Sequence, residues 1–269
     1  MQKLVLGSVA LAALVTGPVM AADLPVKAPP VRPACAQFGG VYLGGHVGGN
    51  FYKNDYRDLD GLGNVVTFNA GSPLPLSVAS TDFGWHGGVQ GGYNWQANCT
   101  VFGVEADWSW TNAKASSVHH NDATSDFNDS VTVSSRMRWF GTVRARSGLV
   151  VDNLLLYVTG GLAYANFDRD LSYFHVISVV TPGPIINGQT LNFSHGGTRL
   201  GWTAGVGSEW AINANWSLKG ELLYMQFEKQ SAQVSATVFG RPPGTFQVDY
   251  QDSVWAGRIG LNYRWGVAY

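Results

Sequence analysis

Charge is scarce in this chain. Asp, Glu, Lys and Arg make up 13% of its 269 residues, roughly half the ~25% of an ordinary globular domain, and they balance to a formal net charge of -1. With no excess of either sign, no long-range field draws nucleic acid or an acidic substrate to it. Long apolar runs are scarce too. The single candidate for a membrane-spanning helix is Leu4–Ala21, behind Lys3 and ending in "GPVMAA" with small residues spaced for cleavage. That pattern is a secretory signal peptide, expected to be cut after Ala21, and not a retained anchor. Motifs of catalysis are missing as well: there is no HExxH, no GxSxG, no P-loop and no Cys/His metal cluster. No catalytic residue, cofactor or metal is therefore assigned, and His46 and His86 have no serine partner that the sequence can set beside them.

What is abundant is apolar residues at 45% and glycine, 34 in number against a usual share of ~7%. An exported chain with this composition and no spanning helix points to a membrane protein that crosses with strands. Glycine pairs inside apolar stretches, as in "VYLGGHVGGNFY" and "WHGGVQGGYNW", would ruin a helix but suit a curved sheet. Residues 22–37 are Pro-rich and read as an extended periplasmic leader. From 38 to 269 strand-like runs fall near 38–52, 82–96, 99–112, 132–150, 154–167, 199–212, 216–228 and 250–269. Three gaps are tiny ("QAN", "VDN", "NAN") and carry Asn, which tolerates a left-handed turn. The other four, about 53–81, 113–131, 168–198 and 229–249, are long and polar. Short turns on one side and long loops on the other are the habit of outer-membrane barrels. The expected fold is all-β: an eight-stranded antiparallel transmembrane up-and-down barrel in the outer membrane.

The tryptophans mark its two lipid boundaries. Trp85 and Trp95, Trp202 and Trp210, and Trp255 and Trp265 are even-numbered steps apart within their runs, so each pair shares a face. Their spacing matches the ~9–11 residues of one tilted crossing. Trp108, Trp110, Trp139 and Trp216 also fall near strand ends, completing an aromatic girdle. The opposite face carries the charges: Glu105, Asp107, Arg138, Arg144, Arg146, Glu209, Lys219, Glu221, Arg258 and Arg264. An eight-stranded barrel is just wide enough to be filled by side chains, so these charges are expected to pair in the lumen as an ion network. The alternation of "RIGLNYRWGVAY" runs unbroken to Tyr269, as a closing strand requires, and Tyr269 is expected to act as an assembly signal.

At this point a family resemblance can be stated. The segments "AADLPVKAPP", "FGGVYLGGHVGGNF", "GWHGGVQGGYNWQ", "VFGVEADWSW", "RWFGTVRARSGLVVDNLLLYVTGGLAYANF", "GWTAGVGSEWAI" and "NWSLKGELLYMQF" span essentially the whole exported chain. Their order and spacing resemble the small eight-stranded outer-membrane proteins of alphaproteobacteria. These are the major immunogenic surface proteins, related to the opacity proteins and to the barrel half of OmpA. The resemblance implies a non-enzymatic barrel with envelope-integrity and surface-interaction roles. It also admits a small porin-like channel, or a haem-binding or adhesive surface protein. His119 and His120, in the second long loop, are the candidate haem ligands, with His175 and His195 in the third. Unlike OmpA, the chain is expected to lack a peptidoglycan-binding domain. The implied partners are outer-membrane lipid, lipopolysaccharide and the outer-membrane assembly machinery. Cys35 and Cys99, both on the short-turn side of an exported chain, are expected to form a disulfide.

Overall fold

The computed structural model describes residues 35–59, 77–121, 129–177, 186–236 and 244–265. The expected signal peptide, most of the expected leader and Tyr269 lie outside the described residues. The strands are β1 (Gly40–Asp58), β2 (Ser77–Ala97), β3 (Thr100–Thr111), β4 (Lys114–Asn121), β5 (Asp129–Val151), β6 (Leu154–Ile177), β7 (Ile186–Ala211), β8 (Trp216–Phe227), β9 (Gln230–Ala236) and β10 (Gly244–Arg264). Eight of them form a ring in the order β1-β2-β3-β5-β6-β7-β8-β10. The ring closes where β1 pairs antiparallel with β10, from Tyr42 opposite Arg264 to Asp58 opposite Val248. Closure is what lipid demands: with no water to satisfy a free edge, every backbone donor must find a partner within the sheet.

The two remaining strands extend the wall. β4 prolongs β3 along β5, and β9 prolongs β8 along β10. Strand pairing therefore runs well into all four segments expected as loops, which is a correction to the sequence reading. The reason is physical. Beyond the hydrocarbon the outer face of a strand meets water, so that half of the alternation no longer has to be apolar, and Ser-rich strands such as Lys114–Asn121 look like loop.

The short turns follow their chemistry. Asn98 (φ 54°) and Asp152 (φ 53°) take the left-handed conformation. In the third turn the Asn213 side chain accepts hydrogen bonds from the backbone N–H groups of Asn215 and Trp216, at 2.9 and 2.8 Å. Alternation then sorts the faces. Along β1, Val41, Leu43, Val47 and Phe51 face outward, while Tyr42, His46, Asn50 and Tyr52 are buried inside. Two inward glycines make room for rings laid across the lumen. A methyl group at Gly92 would collide with the Tyr42 hydroxyl, and one at Gly207 with that of Tyr157. Outside, Trp85, Trp95, Trp110, Trp202, Trp210, Trp216, Trp255 and Trp265 stand exposed, and Trp108 and Trp139 stack on one another with centroids 4.2 Å apart.

Candidate functional site

Among the described residues, buried charged side chains converge in the lumen, which is built in tiers. At the short-turn end Phe38 is fully buried against Val101, Val150, Leu155 and Tyr157, with Cys35 and Cys99 beside them. Cys35 and Cys99 form a disulfide with Cα atoms 5.8 Å apart. The chain before β1 is held by more than that bond: Ala36 N–H donates to the Asp152 carbonyl at 2.7 Å, and Phe38 N–H to the Gln96 side chain at 2.6 Å. Arg264 lies 4.6 Å over the Phe38 ring and donates to the Gln37 carbonyl. An aromatic floor thus caps the barrel on this side.

Above the floor sits a buried ion network. Inward parity on β3, β5, β7, β8 and β10 brings Glu105, Asp107, Arg144, Arg146, Glu209, Lys219, Glu221, Arg258 and Arg264 to one level. Lys219 Nζ lies 2.6 and 2.7 Å from the two Glu105 oxygens, and Arg144 also pairs with Glu105. Glu221 accepts from Arg144 at 2.9 Å and from Arg258 at 2.6 Å. Asp107 meets the same two arginines at 3.1 and 3.2 Å. Glu209 pairs with Arg146 at 3.0 Å and accepts from Ser217 and Asn262. Four carboxylates face five cations, and each ion has at least one opposite partner, as charges withdrawn from bulk water require.

Arg138 is a correction. It is not in the lumen: its side chain is 61% exposed and pairs outside the barrel with Asp168. A β-bulge between Met137 and Trp139 skips Arg138 in the pairing with β6. Strict alternation would turn Met137 outward. The bulge instead buries Met137 and sends both Arg138 and Trp139 to the exterior.

Three further tiers fill the bore, and of their residues the sequence reading had placed only His46 and His86 on the lumen side. Directly above the ion network, His46 donates to or accepts from Ser109 at 2.7 Å, and Asn50 bridges His86 and Thr111. Next comes an apolar band in which Met137, Phe140, Phe167, Leu223, Met225 and Phe227 fill the section together with Tyr52 and small alanines. Beyond it Asp252 accepts from Tyr52 and Asn54, both at 2.7 Å, and pairs with Arg169. The signal for Arg169 was present, since Phe167, Arg169 and Leu171 continue the inward parity into what read as loop. Leu223, Met225 and Phe227 continue the inward parity of Lys219 and Glu221, but the sequence reading followed that face only as far as its charged residues.

The candidate haem ligands are not gathered by the fold into a described site. His119 and His120 lie on β4, paired through their backbones with Val131 and Ser130, and their side chains are outside what is described, as is that of His175. His195 is exposed, 2.8 Å from the Gln230 side chain. Among the described residues no group of three His, Cys, Asp or Glu side chains is arranged to hold a metal ion.

With this geometry in hand, comparison with known proteins is informative. The profile of the outer membrane protein beta-barrel domain matches residues 9–241. The "31 kDa outer-membrane immunogenic protein" of Brucella melitensis biotype 1 is 32% identical over 98% of this chain and 100% of its own length. The "22 kDa outer membrane protein" of Rhizobium leguminosarum bv. viciae is 26% identical over 67% of this chain and 69% of its own. Among solved structures, the outer membrane protein OprG from Pseudomonas aeruginosa aligns with a TM-score of 0.47 at 14% identity, covering 86% of this chain and 99% of that one.

Proposed function

The chain belongs to the outer membrane protein beta-barrel domain family, and from that premise we propose that it is a closed, non-enzymatic barrel that braces the envelope and meets the outside through its long loops. It is an outer-membrane protein with eight strands in its ring. On this reading residues 1–21 are removed on export and residues 22–37 remain as a periplasmic leader. Its partners are outer-membrane lipid, lipopolysaccharide and the machinery that inserts barrels.

The observation that carries the closed lumen is the stacking of two different fillings across one bore. The ion network spans from β3 to β10, and the apolar band of Met137, Phe140, Phe167, Leu223, Met225 and Phe227 lies over it. An ion entering would have to break buried charge pairs and then cross a stretch with few polar atoms to replace its hydration shell. Purified protein in planar bilayers is expected to give no stable conductance steps. Large ohmic steps from the monomer would overturn the closed lumen in favour of the porin-like reading.

Assembly gives a second expectation. Tyr269→Asp should lower the amount of folded protein in the outer membrane, because the apolar alternation of the closing strand runs to that residue. Band shift on unboiled gels of the outer-membrane fraction measures it, and parental levels of folded barrel would count against an assembly role.

A further inference from the structure

We propose that Lys114, Arg136 and Arg138 form a binding site on the barrel's outer wall for the anionic headgroup of lipopolysaccharide. This names a site for a partner in the reading above and rests on it.

Lys114 on β4 and Arg136 on β5 stand directly opposite one another, both exposed. Like charges in such a cross-strand pair repel. The acid across from Arg136 on its other side, Asp168, is bonded instead to Arg138. Among the described residues no ion pair joins Lys114 or Arg136 to a carboxylate. Among the described residues Asp170, two pairs further out opposite Ser134, is the other acid on this face. Three cations thus meet two acids, and the cross-strand pair itself holds no counter-charge.

The bulge decides the depth of this cluster. By turning both Arg138 and Trp139 outward, it sets a guanidinium next to an indole that stacks on Trp108 and packs edge-on to Tyr164. Stacked indoles mark the boundary between hydrocarbon and headgroup. β5 runs from the long-loop side inward, so Arg138 and Arg136 lie outward of Trp139, at headgroup depth in the outer leaflet. A surplus of positive charge there is complementary to an anionic lipid headgroup, and the anionic lipid of that leaflet is lipopolysaccharide. By contrast, the exterior Lys53 pairs with Asp55 at 2.8 Å, and Arg57 stands opposite Asp249 in the β1–β10 register.

The test uses the full exported chain folded in detergent, with thermal unfolding followed by band shift on gels. Bisphosphorylated lipid A is expected to raise the midpoint, whereas dephosphorylated lipid A and phosphatidylglycerol are not. In the Lys114→Gln/Arg136→Gln variant the half-saturating lipid A concentration should rise on the order of tenfold, and Lys53→Gln should leave it unchanged. An equal response of variant and parent overturns the site, and so does an equal response to phosphatidylglycerol or to the dephosphorylated form. On the parent protein, lipid A should also shield Lys114, but not Lys53, from amine acylation, and an unshielded Lys114 overturns the proposal without needing any variant. A folded band in the outer-membrane fraction before lipid is added separates failure of the site from failure of the outer-membrane reading.

Discussion

Replacing Glu105 with Gln is expected to cost about 3–5 kcal/mol of barrel stability, because it removes the carboxylate on which the lumen charges converge. Lys219 reaches it at 2.6 and 2.7 Å, Arg258 at 3.4 Å and Arg146 at 3.6 Å, with Arg144 closer still and the Tyr42 hydroxyl donating at 2.6 Å. All of these groups are buried. The variant would leave five cations facing three acids with no bulk water to compensate them. Adding Lys219→Met should restore part of the loss, since the double change removes one charge of each sign, and coupling of about 0.5–3 kcal/mol is usual for residues in one network. Denaturant titrations of the barrel in lipid vesicles measure both effects. A Glu105→Gln barrel as stable as the parent would mean that these charges are solvated, which would also undermine the closed lumen.

Arg placed on the lipid face should cost nearly as much, and in a depth-dependent way. Val143 lies on the exterior of β5, four residues beyond Trp139 towards the periplasmic side, and is 52% exposed. Val118 lies on the exterior of β4, beyond the Trp110 tier, and is 50% exposed. The two valines are equally open to their surroundings, but the surroundings differ. Val143→Arg is expected to destabilise by ~2–4 kcal/mol, and Val118→Arg by ~0–1 kcal/mol. Refolding titrations in vesicles decide it, and equal costs at the two positions would show that the hydrocarbon band has been set at the wrong height on the barrel.

Much of the candidate site was legible because period-two alternation assigns faces without any knowledge of neighbours. Glu105 and Asp107 on one run, Arg144 and Arg146 on another, and Lys219 and Glu221 on a third could be turned to one interior, opposite tryptophans that needed lipid. Where alternation was locally broken, the reading failed. Arg138 was assigned to the lumen because nothing in "RMRWFG" announces a bulge, and one extra residue reverses every face upstream of it. The Arg169–Asp252 pair was missed for a different reason: β6 continues past the membrane, where its outer face meets water and carries Asp168 and Asp170, so the apolar alternation that marks a crossing fades although Arg169 stays buried inside.

By itself the sequence determined the period of two, the number of crossings and, away from the bulge, which residues share a face. These are local properties, set by hydrophobicity and backbone geometry within a few residues. Only the tertiary structure decided which inward residues share a level, because that depends on the stagger between strands that closes the ring, and stagger is a relation between segments far apart in the chain. It brought Glu105 of β3 against Lys219 of β8 and Arg258 of β10, set an apolar band over them, and used one bulge to turn Arg138 away from the network and out to the lipid boundary.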